Sequence, residues 1–268
     1  MKSKIFIALV LIIAFGAAYY YFDVKNSEVL PALDGAQSTS TVPIATSTAP
    51  GTVIIGPDGG EYTVEAIPPE SSLSFPSLER PVNIPSVFTG EARVQMQMQL
   101  DKVIAILKKD RTDSNAWLDL ALYRKMIHDY EGAREIWEFL ITAGSTSSVI
   151  YANLGELYHL YLKDFPKSEF NYKKAIAGDP ARAALYLGLH ELYRYSYKQD
   201  STLAADVLKE GIKKNPNAIE LFIALARYYV SQKNKTDATT YFEKAISLSR
   251  ALHNESQAKQ LELELAKL

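Results

Sequence analysis

From Gly90 to the C-terminus, apolar residues recur at spacings of three and four, as in VQMQMQLDKVIAILKK (residues 94–109). This spacing places apolar side chains along one face of an α-helix. Most of the twelve prolines lie upstream of this region, between Asp23 and Phe88. The pattern therefore predicts an all-α domain that begins near residue 89.

The helical region repeats two phrases four times. The first phrase is WLDLALYR, YANLGELY, YLGLHELY and FIALARYY, which begin at Trp117, Tyr151, Tyr186 and Phe222. The second begins at residues 129, 164, 200 and 234, in steps of 35, 36 and 34 residues, and is exemplified by DFPKSEFNYKKAIAGDP. A fixed period of this size is typical of repeat proteins whose helix pairs stack on one another.

Each pair of phrases resembles a tetratricopeptide repeat, whose pattern is W-x₂-L-G-x₂-Y, then A-x₃-F, then P. The resemblance covers about Ser114 to Leu252 and implies an α-solenoid of helix-turn-helix repeats that binds a protein or peptide. It also implies that an aromatic residue of each second helix is buried between neighbouring helices. The residues that carry the pattern are Trp117, Leu120, Ala121, Ala133 and Trp137; Tyr151, Leu154, Gly155, Tyr158, Ser168, Tyr172, Ala175 and Pro180; Tyr186, Leu189, Tyr193, Ala204, Leu208 and Pro216; and Phe222, Leu225, Ala226, Tyr229, Ala238, Phe242 and Ala245.

Helix boundaries and array ends can also be predicted. A short polar acceptor opens each second helix and is expected to cap its free backbone N–H groups. These residues are Asp129, Asp164, Asp200 and Asn234. Residues 253–268 predict a C-terminal capping helix with Asn254 and Gln257 in capping-box spacing. Residues 89–113 predict an N-terminal capping helix, which is interpreted as a degenerate half-repeat.

The N-terminal 22 residues predict a membrane anchor. Lys2 and Lys4 precede a stretch without charge from Ile5 to Phe22, which ends in aromatic residues. A helix of that length is about 27 Å long, close to the bilayer core of about 30 Å. A signal peptide cleaved near Gly16–Ala18 is the alternative. We favour a retained single-pass helix, with the lysines in the cytoplasm and the repeats extracytoplasmic.

Residues 23–88 are rich in Pro, Ser and Thr and predict a disordered linker. TVIIGPDGGEYTVEA (residues 52–66) is the exception, because two β-rich runs flank a Gly/Pro/Asp turn. That stretch predicts a small hairpin.

The composition and motifs narrow the possible functions. A net charge of −2 argues against nucleic-acid binding, and the absence of cysteine excludes thiol chemistry. No phosphate loop, nucleophile elbow or HExxH motif is present, so no cofactor, small-molecule substrate or enzymatic activity is expected. His128, His159 and His190 are 31 residues apart, out of step with the repeat, so their rings should not converge on a metal. Glu156 and Glu191 are interpreted as a solvated helix face.

The resemblance places the partner-binding surface on the inner, concave wall, which the first helices form. Aliphatic ends and a Glu/Arg centre favour an amphipathic or extended partner segment. An accessory subunit of an envelope-biogenesis or secretion complex is the alternative function. Leu118 and Leu122 could instead pack under the helix at residues 91–109. The candidate residues are Leu118, Leu122, Lys125, Ala152, Glu156, His159, Leu187, Glu191, Arg194, Ile223, Arg227 and Val230, with Tyr195 as an additional ligand-facing tyrosine.

Overall fold

The computed structural model describes residues 53–55, 61–63 and 74–268. The predicted anchor at residues 1–22 lies outside these ranges. Within them, no helix combines the length and the apolar character needed to cross a membrane. Strands β1 (Val53–Ile55) and β2 (Glu61–Thr63) pair antiparallel, with Ile54 opposite Tyr62. The predicted hairpin is therefore confirmed.

Residues 90–268 form ten α-helices, as the apolar spacing predicts. The fourth helix continues directly into a π-helical turn at Tyr158–Leu162. The helices are α1 (Gly90–Lys109), α2 (Ser114–Met126), α3 (Tyr130–Thr142), α4 (Ser148–Leu157), α5 (Phe165–Gly178), α6 (Ala183–Tyr195), α7 (Leu203–Lys214), α8 (Ile219–Ser231), α9 (Lys235–Ala251) and α10 (Glu255–Leu265).

The helices stack as successive pairs. Each helix from α1 to α10 packs on the next one, and the first helices α4, α6 and α8 also contact one another in order. The α2/α3, α4/α5, α6/α7 and α8/α9 pairs are the four predicted repeats. Each pair contacts chiefly its neighbours, and the buried apolar residues form three clusters that follow one another along the stack. The all-α solenoid prediction is confirmed.

Side-chain caps open three of the four second helices. Asp129, Asp164 and Asn234 accept hydrogen bonds from the backbone N–H groups three residues later. The prediction for Asp200 is wrong, because α7 starts at Leu203 after Thr202, whose side chain makes no cap hydrogen bond. The connection from α6 to α7 is longer than its counterparts and contains Asp200.

In three of the four repeats, an aromatic side chain of the second helix is buried in the core. Trp137, Tyr172 and Phe242 are all buried, as predicted. The ring of Tyr172 lies between two glycines of neighbouring first helices. A Cβ atom on Gly155 would lie 2.9 Å from Tyr172 Cγ, and one on Gly188 would lie 2.6 Å from Tyr172 Cε1. The two glycines therefore allow α4 and α6 to close around this ring.

Residues 74–88 correct the predicted extent of the linker. They run across α2 and α3, and Leu78, Ile84 and Phe88 are buried in the N-terminal core. Phe75 stacks on Trp117, with ring centroids 6.2 Å apart. Apolar contacts thus order a segment whose proline-rich composition predicts disorder. We call residues 74–88 the strap.

A partly buried ion network attaches the strap to α2 and α3. Asp129 Oδ2 lies 2.8 Å from Arg80 Nε of the strap and 2.7 Å from Arg124 Nη1 of α2. Burial alone would raise the pKa of Asp129, but the hydrogen bonds from Arg80, Arg124 and the Gly132 N–H outweigh it and lower the pKa. The residue that caps α3 therefore also holds the strap in place.

The first and last helices, α1 and α10, pack on the two ends of the array. In α1, Met96, Leu100, Val103 and Leu107 face the core. In α10, Ala258 and Leu261 are buried, and Leu265 packs against the same cluster. Asn254 accepts a hydrogen bond from the Gln257 backbone N–H, which gives one half of the predicted capping box.

Candidate partner-binding face

The first helices α2, α4, α6 and α8 carry the candidate binding residues, and we call their shared surface the first-helix face. Its aliphatic members are less open than predicted. Leu118 is only 3% exposed and belongs to the N-terminal core, so its assignment to an open wall is wrong. Leu187 and Ile223 are half-buried against the core clusters, and Leu122 and Ala152 are also half-buried. These four side chains are partly exposed, so they can contribute only part of their surface to the first-helix face.

The π-helical turn after α4 changes the side chain that is exposed there. A π-helical turn adds a residue to the helix and so rotates the following side chains. His159 is only 5% exposed, and its Nε2 lies 3.0 Å from Ser196 Oγ. Burial, with the nearby charge of Lys163, lowers the pKa of His159 and so favours the neutral ring. The prediction that His159 lines an open surface is therefore wrong, and Leu160, at 43% exposed, is presented instead.

Three of the candidate charges are already paired within the array. Lys125 Nζ of α2 lies 2.8 Å from Glu156 Oε1 of α4, which bridges consecutive first helices. Arg227 of α8 donates two hydrogen bonds to Glu264 of α10, at 3.0 and 2.7 Å. This pair lowers the pKa of Glu264 and raises that of Arg227. Arg227 therefore also serves to hold the C-terminal helix.

The centre of the face lies on α6. Glu191 is exposed, and its carboxylate has no ion-pair or hydrogen-bond partner among residues 74–268. Tyr195 follows one turn later and is 60% exposed. The Arg194 guanidinium lies over two tyrosine rings, 4.9 Å from the Tyr195 centroid and 5.8 Å from that of Tyr228. The structure thus brings an open carboxylate and an exposed aromatic ring together.

The three evenly spaced histidines point to different partners. His128 is exposed and stacks on Tyr130, whereas His190 is buried with Nδ1 2.7 Å from the Ala204 carbonyl oxygen. His159 contacts Ser196. Over the part of the chain that the structure describes, no group of three His, Asp or Glu side chains is arranged to hold a metal ion.

A second polar cluster lies between α5 and α6 and was not predicted. Glu169 accepts hydrogen bonds from Tyr193 Oη (2.6 Å), Lys173 Nζ (2.8 Å) and Lys198 Nζ (2.7 Å). Burial would raise the pKa of Glu169, but these three donors outweigh it and lower the pKa to about 2. Lys198 belongs to the connection after α6, so Glu169 ties that connection to the preceding repeat.

Residues of α5, α6 and α7 also line a cavity that the sequence did not predict. It has a volume of about 560 Å³ and lies between α5 and α7, over α6. Tyr186, Leu189 and Tyr193 lie at its floor, and Lys173 and Glu210 line it as well. Because all three floor residues are buried, they function as core residues of the α6/α7 pair.

Comparison with known proteins supports the repeat assignment. Residues 219–252 match the family model described as tetratricopeptide repeat, and this range coincides with the α8/α9 pair. No curated protein sequence matches the chain. A crystal structure of MamA superposes with a TM-score of 0.52 at 18% identity, covering 64% of this chain and 99% of that chain. A second MamA crystal structure gives 0.50 at 20% identity, covering 59% and 85%.

At sequence identities of 18% and 20%, the similarity to the two MamA structures shows a shared fold only. The family match supplies the repeat type, and the four stacked helix pairs show where the repeats lie. The described helical region is therefore an α-solenoid of tetratricopeptide-like helix pairs, in which residues 219–252 match the tetratricopeptide repeat model.

Proposed function

We propose that the protein is a membrane-anchored scaffold whose concave first-helix face binds a protein or peptide partner on the extracytoplasmic side. The observation that carries the proposal is the stack of tetratricopeptide-like helix pairs across residues 114–252. Tetratricopeptide repeats are protein-interaction modules, and the stack presents a surface to which several repeats contribute. Glu191 and Tyr195 provide an open charge and an exposed aromatic ring there.

The membrane part of the proposal is supported by the sequence. Lys2 and Lys4 precede the uncharged stretch Ile5–Phe22, which is long enough to span a bilayer as a helix. The positive-inside rule then directs the chain after Phe22 away from the cytoplasm. Residues 23–73 would separate the anchor from the strap, so the array could reach a partner at some distance from the membrane.

Photocrosslinking in membranes tests the binding face. A photoreactive amino acid replaces Tyr195 on the first-helix face, or Phe170 on second helix α5 as a matched control. The two side chains are similarly exposed, at 60% and 56%. We expect the probe at position 195 to capture one defined protein, which mass spectrometry identifies, and the probe at position 170 to give little of that product.

Two outcomes contradict the proposal. Capture of the same protein from position 170 alone would place the binding surface on the second helices. Absence of a specific product from both positions, in membranes where the protein is expressed at its natural level, would contradict the scaffold function itself.

A further inference from the structure

The last turns of three successive first helices each expose a large apolar side chain. Leu160 follows α4 and is 43% exposed, Tyr195 ends α6 and is 60% exposed, and Val230 lies in the last turn of α8 and is 39% exposed. Because α4, α6 and α8 contact one another in order, equivalent ends of these helices follow one side of the array. We call these three side chains the apolar edge.

Some of the charged residues beside the apolar edge have an ion-pair partner and others have none among residues 74–268. Lys125 pairs with Glu156, and Arg227 pairs with Glu264. Arg194 is three residues from Glu191, yet its guanidinium lies over the Tyr195 and Tyr228 rings and forms no ion pair with Glu191. Glu191 therefore remains the open carboxylate of α6, one turn before Tyr195 and on the same side of the helix.

The negative charges of Glu156 and Glu191 also affect Tyr172, which is buried beneath the first-helix face. Burial raises the pKa of Tyr172, and the charges of Glu156 and Glu191 raise it further. Both carboxylates therefore act on the same buried hydroxyl from neighbouring first helices. Glu156 already has Lys125 as its partner, so Glu191 is the one of these two carboxylates that has no ion pair among residues 74–268.

We propose that the first-helix face binds a polypeptide segment in which a lysine or arginine pairs with Glu191 while flanking apolar side chains pack on the apolar edge. The inference rests on the proposed scaffold function and specifies the chemistry of the partner. Charge complementarity selects the cation, and the exposed ring of Tyr195, whose cation–π partner is already Arg194, adds an apolar contact beside it. Leu160 and Val230 lie on either side of Tyr195 in the array and supply the apolar contacts.

Peptide binding to the full-length protein tests this specificity. Three fluorescent peptides share the same apolar residues and differ at their polar positions, which are Lys, Gln or Glu. Anisotropy titrations should rank them Lys above Gln above Glu. Glu191→Gln should weaken binding of the Lys peptide about fivefold, the upper end for an exposed ion pair. Glu243→Gln on α9 is the matched control, since it removes the same charge from an exposed second-helix position.

A charge swap makes the test more specific. Glu191→Lys should reverse the preference, so that the Glu peptide binds more tightly than the Lys peptide. Tyr195→Ala should weaken all three peptides, because each loses the same aromatic contact. Unchanged helicity by circular dichroism confirms folding of each variant, and both replaced residues are exposed.

The inference is overturned if no peptide binds, if the three peptides bind equally, or if Glu191→Gln and Glu243→Gln have equal effects. These outcomes are distinct from failure of the scaffold function. Suppose that the probe at position 195 captures a protein and that Glu191→Gln does not change its binding. The proposed scaffold function would then stand, and the proposal of a basic partner segment would be refuted.

Discussion

Replacing Tyr172 by Ala should remove a buried contact between the second and third repeats. The ring is only 6% exposed and fills the space between Gly155 of α4 and Gly188 of α6. A buried tyrosine removes about 150 Å² or more from water. At about 25 cal/mol per Å², this burial is worth about 4 kcal/mol. Truncations of buried aromatic residues cost about 3–5 kcal/mol, so the two estimates agree.

The assay is urea unfolding of the full-length protein, followed by far-ultraviolet circular dichroism. Tyr197→Ala is the matched control, because Tyr197 is a half-buried tyrosine at the edge of the same cluster. We expect Tyr172→Ala to lower the unfolding midpoint much more than Tyr197→Ala. Tyr172→Phe retains the ring between the two glycines and should remain close to the wild type.

Hydrogen exchange locates the effect, because a repeat array can open in parts. Amides of α4, α5 and α6 should lose protection in Tyr172→Ala before those of α2 and α3. Equal unfolding midpoints for Tyr172→Ala and Tyr197→Ala would refute the packing argument and the register of the repeats on which it depends.

Three further predictions concern the polar cluster, the strap and the topology. The pKa of Glu169 is lowered from 4.5 to about 2, so its contribution to stability is present above about pH 4.5 and is lost as the pH falls towards 2. In Glu169→Gln, the free energy of unfolding should therefore change less with pH between about 4.5 and 2. Phe75→Ala should cost about 1–3 kcal/mol in urea unfolding because it uncovers Trp117, whereas the exposed strap residue Val87→Ala should cost little. A reporter that is active only in the cytoplasm, fused after Leu268, should be silent; activity would reverse the topology, and a mature N-terminus near Tyr19 would show cleavage.

The sequence was most informative where a physical constraint repeats. Buried aromatics such as Trp137 and Phe242, and caps such as Asp129 and Asn234, recur at matching places in three of the four units, so helix pairing and register could be predicted. The choice of the first helices as a candidate binding surface came from the resemblance to tetratricopeptide repeats, and it stays a prediction.

Features that occur once could not be predicted in the same way. The strap has the composition of a linker, and its order depends on apolar and ionic contacts between residues far apart in the sequence, such as Phe75 with Trp117 and Arg80 with Asp129. The longer connection after α6 moved the start of α7 beyond Asp200. The π-helical turn turned His159 inwards and exposed Leu160, although both positions fit an uninterrupted helix.

The open charge at Glu191 also depends on three-dimensional contacts. The sequence shows Glu156, Glu191 and Arg227 as equivalent candidates on successive first helices. The structure distinguishes them, because Glu156 pairs with Lys125 and Arg227 pairs with Glu264. Partners on other helices thus decide which candidate charge remains available to a ligand.

Side-chain footprinting of the complex with the captured partner tests the central claim most directly. Hydroxyl radicals label exposed side chains, and mass spectrometry compares labelling in the free and bound protein. The account predicts that Tyr195 and Leu160 lose labelling in the complex, while Phe170 on α5 and Leu263 on α10 keep theirs. Protection of Phe170 with unchanged labelling of Tyr195 would contradict a binding site on the first-helix face.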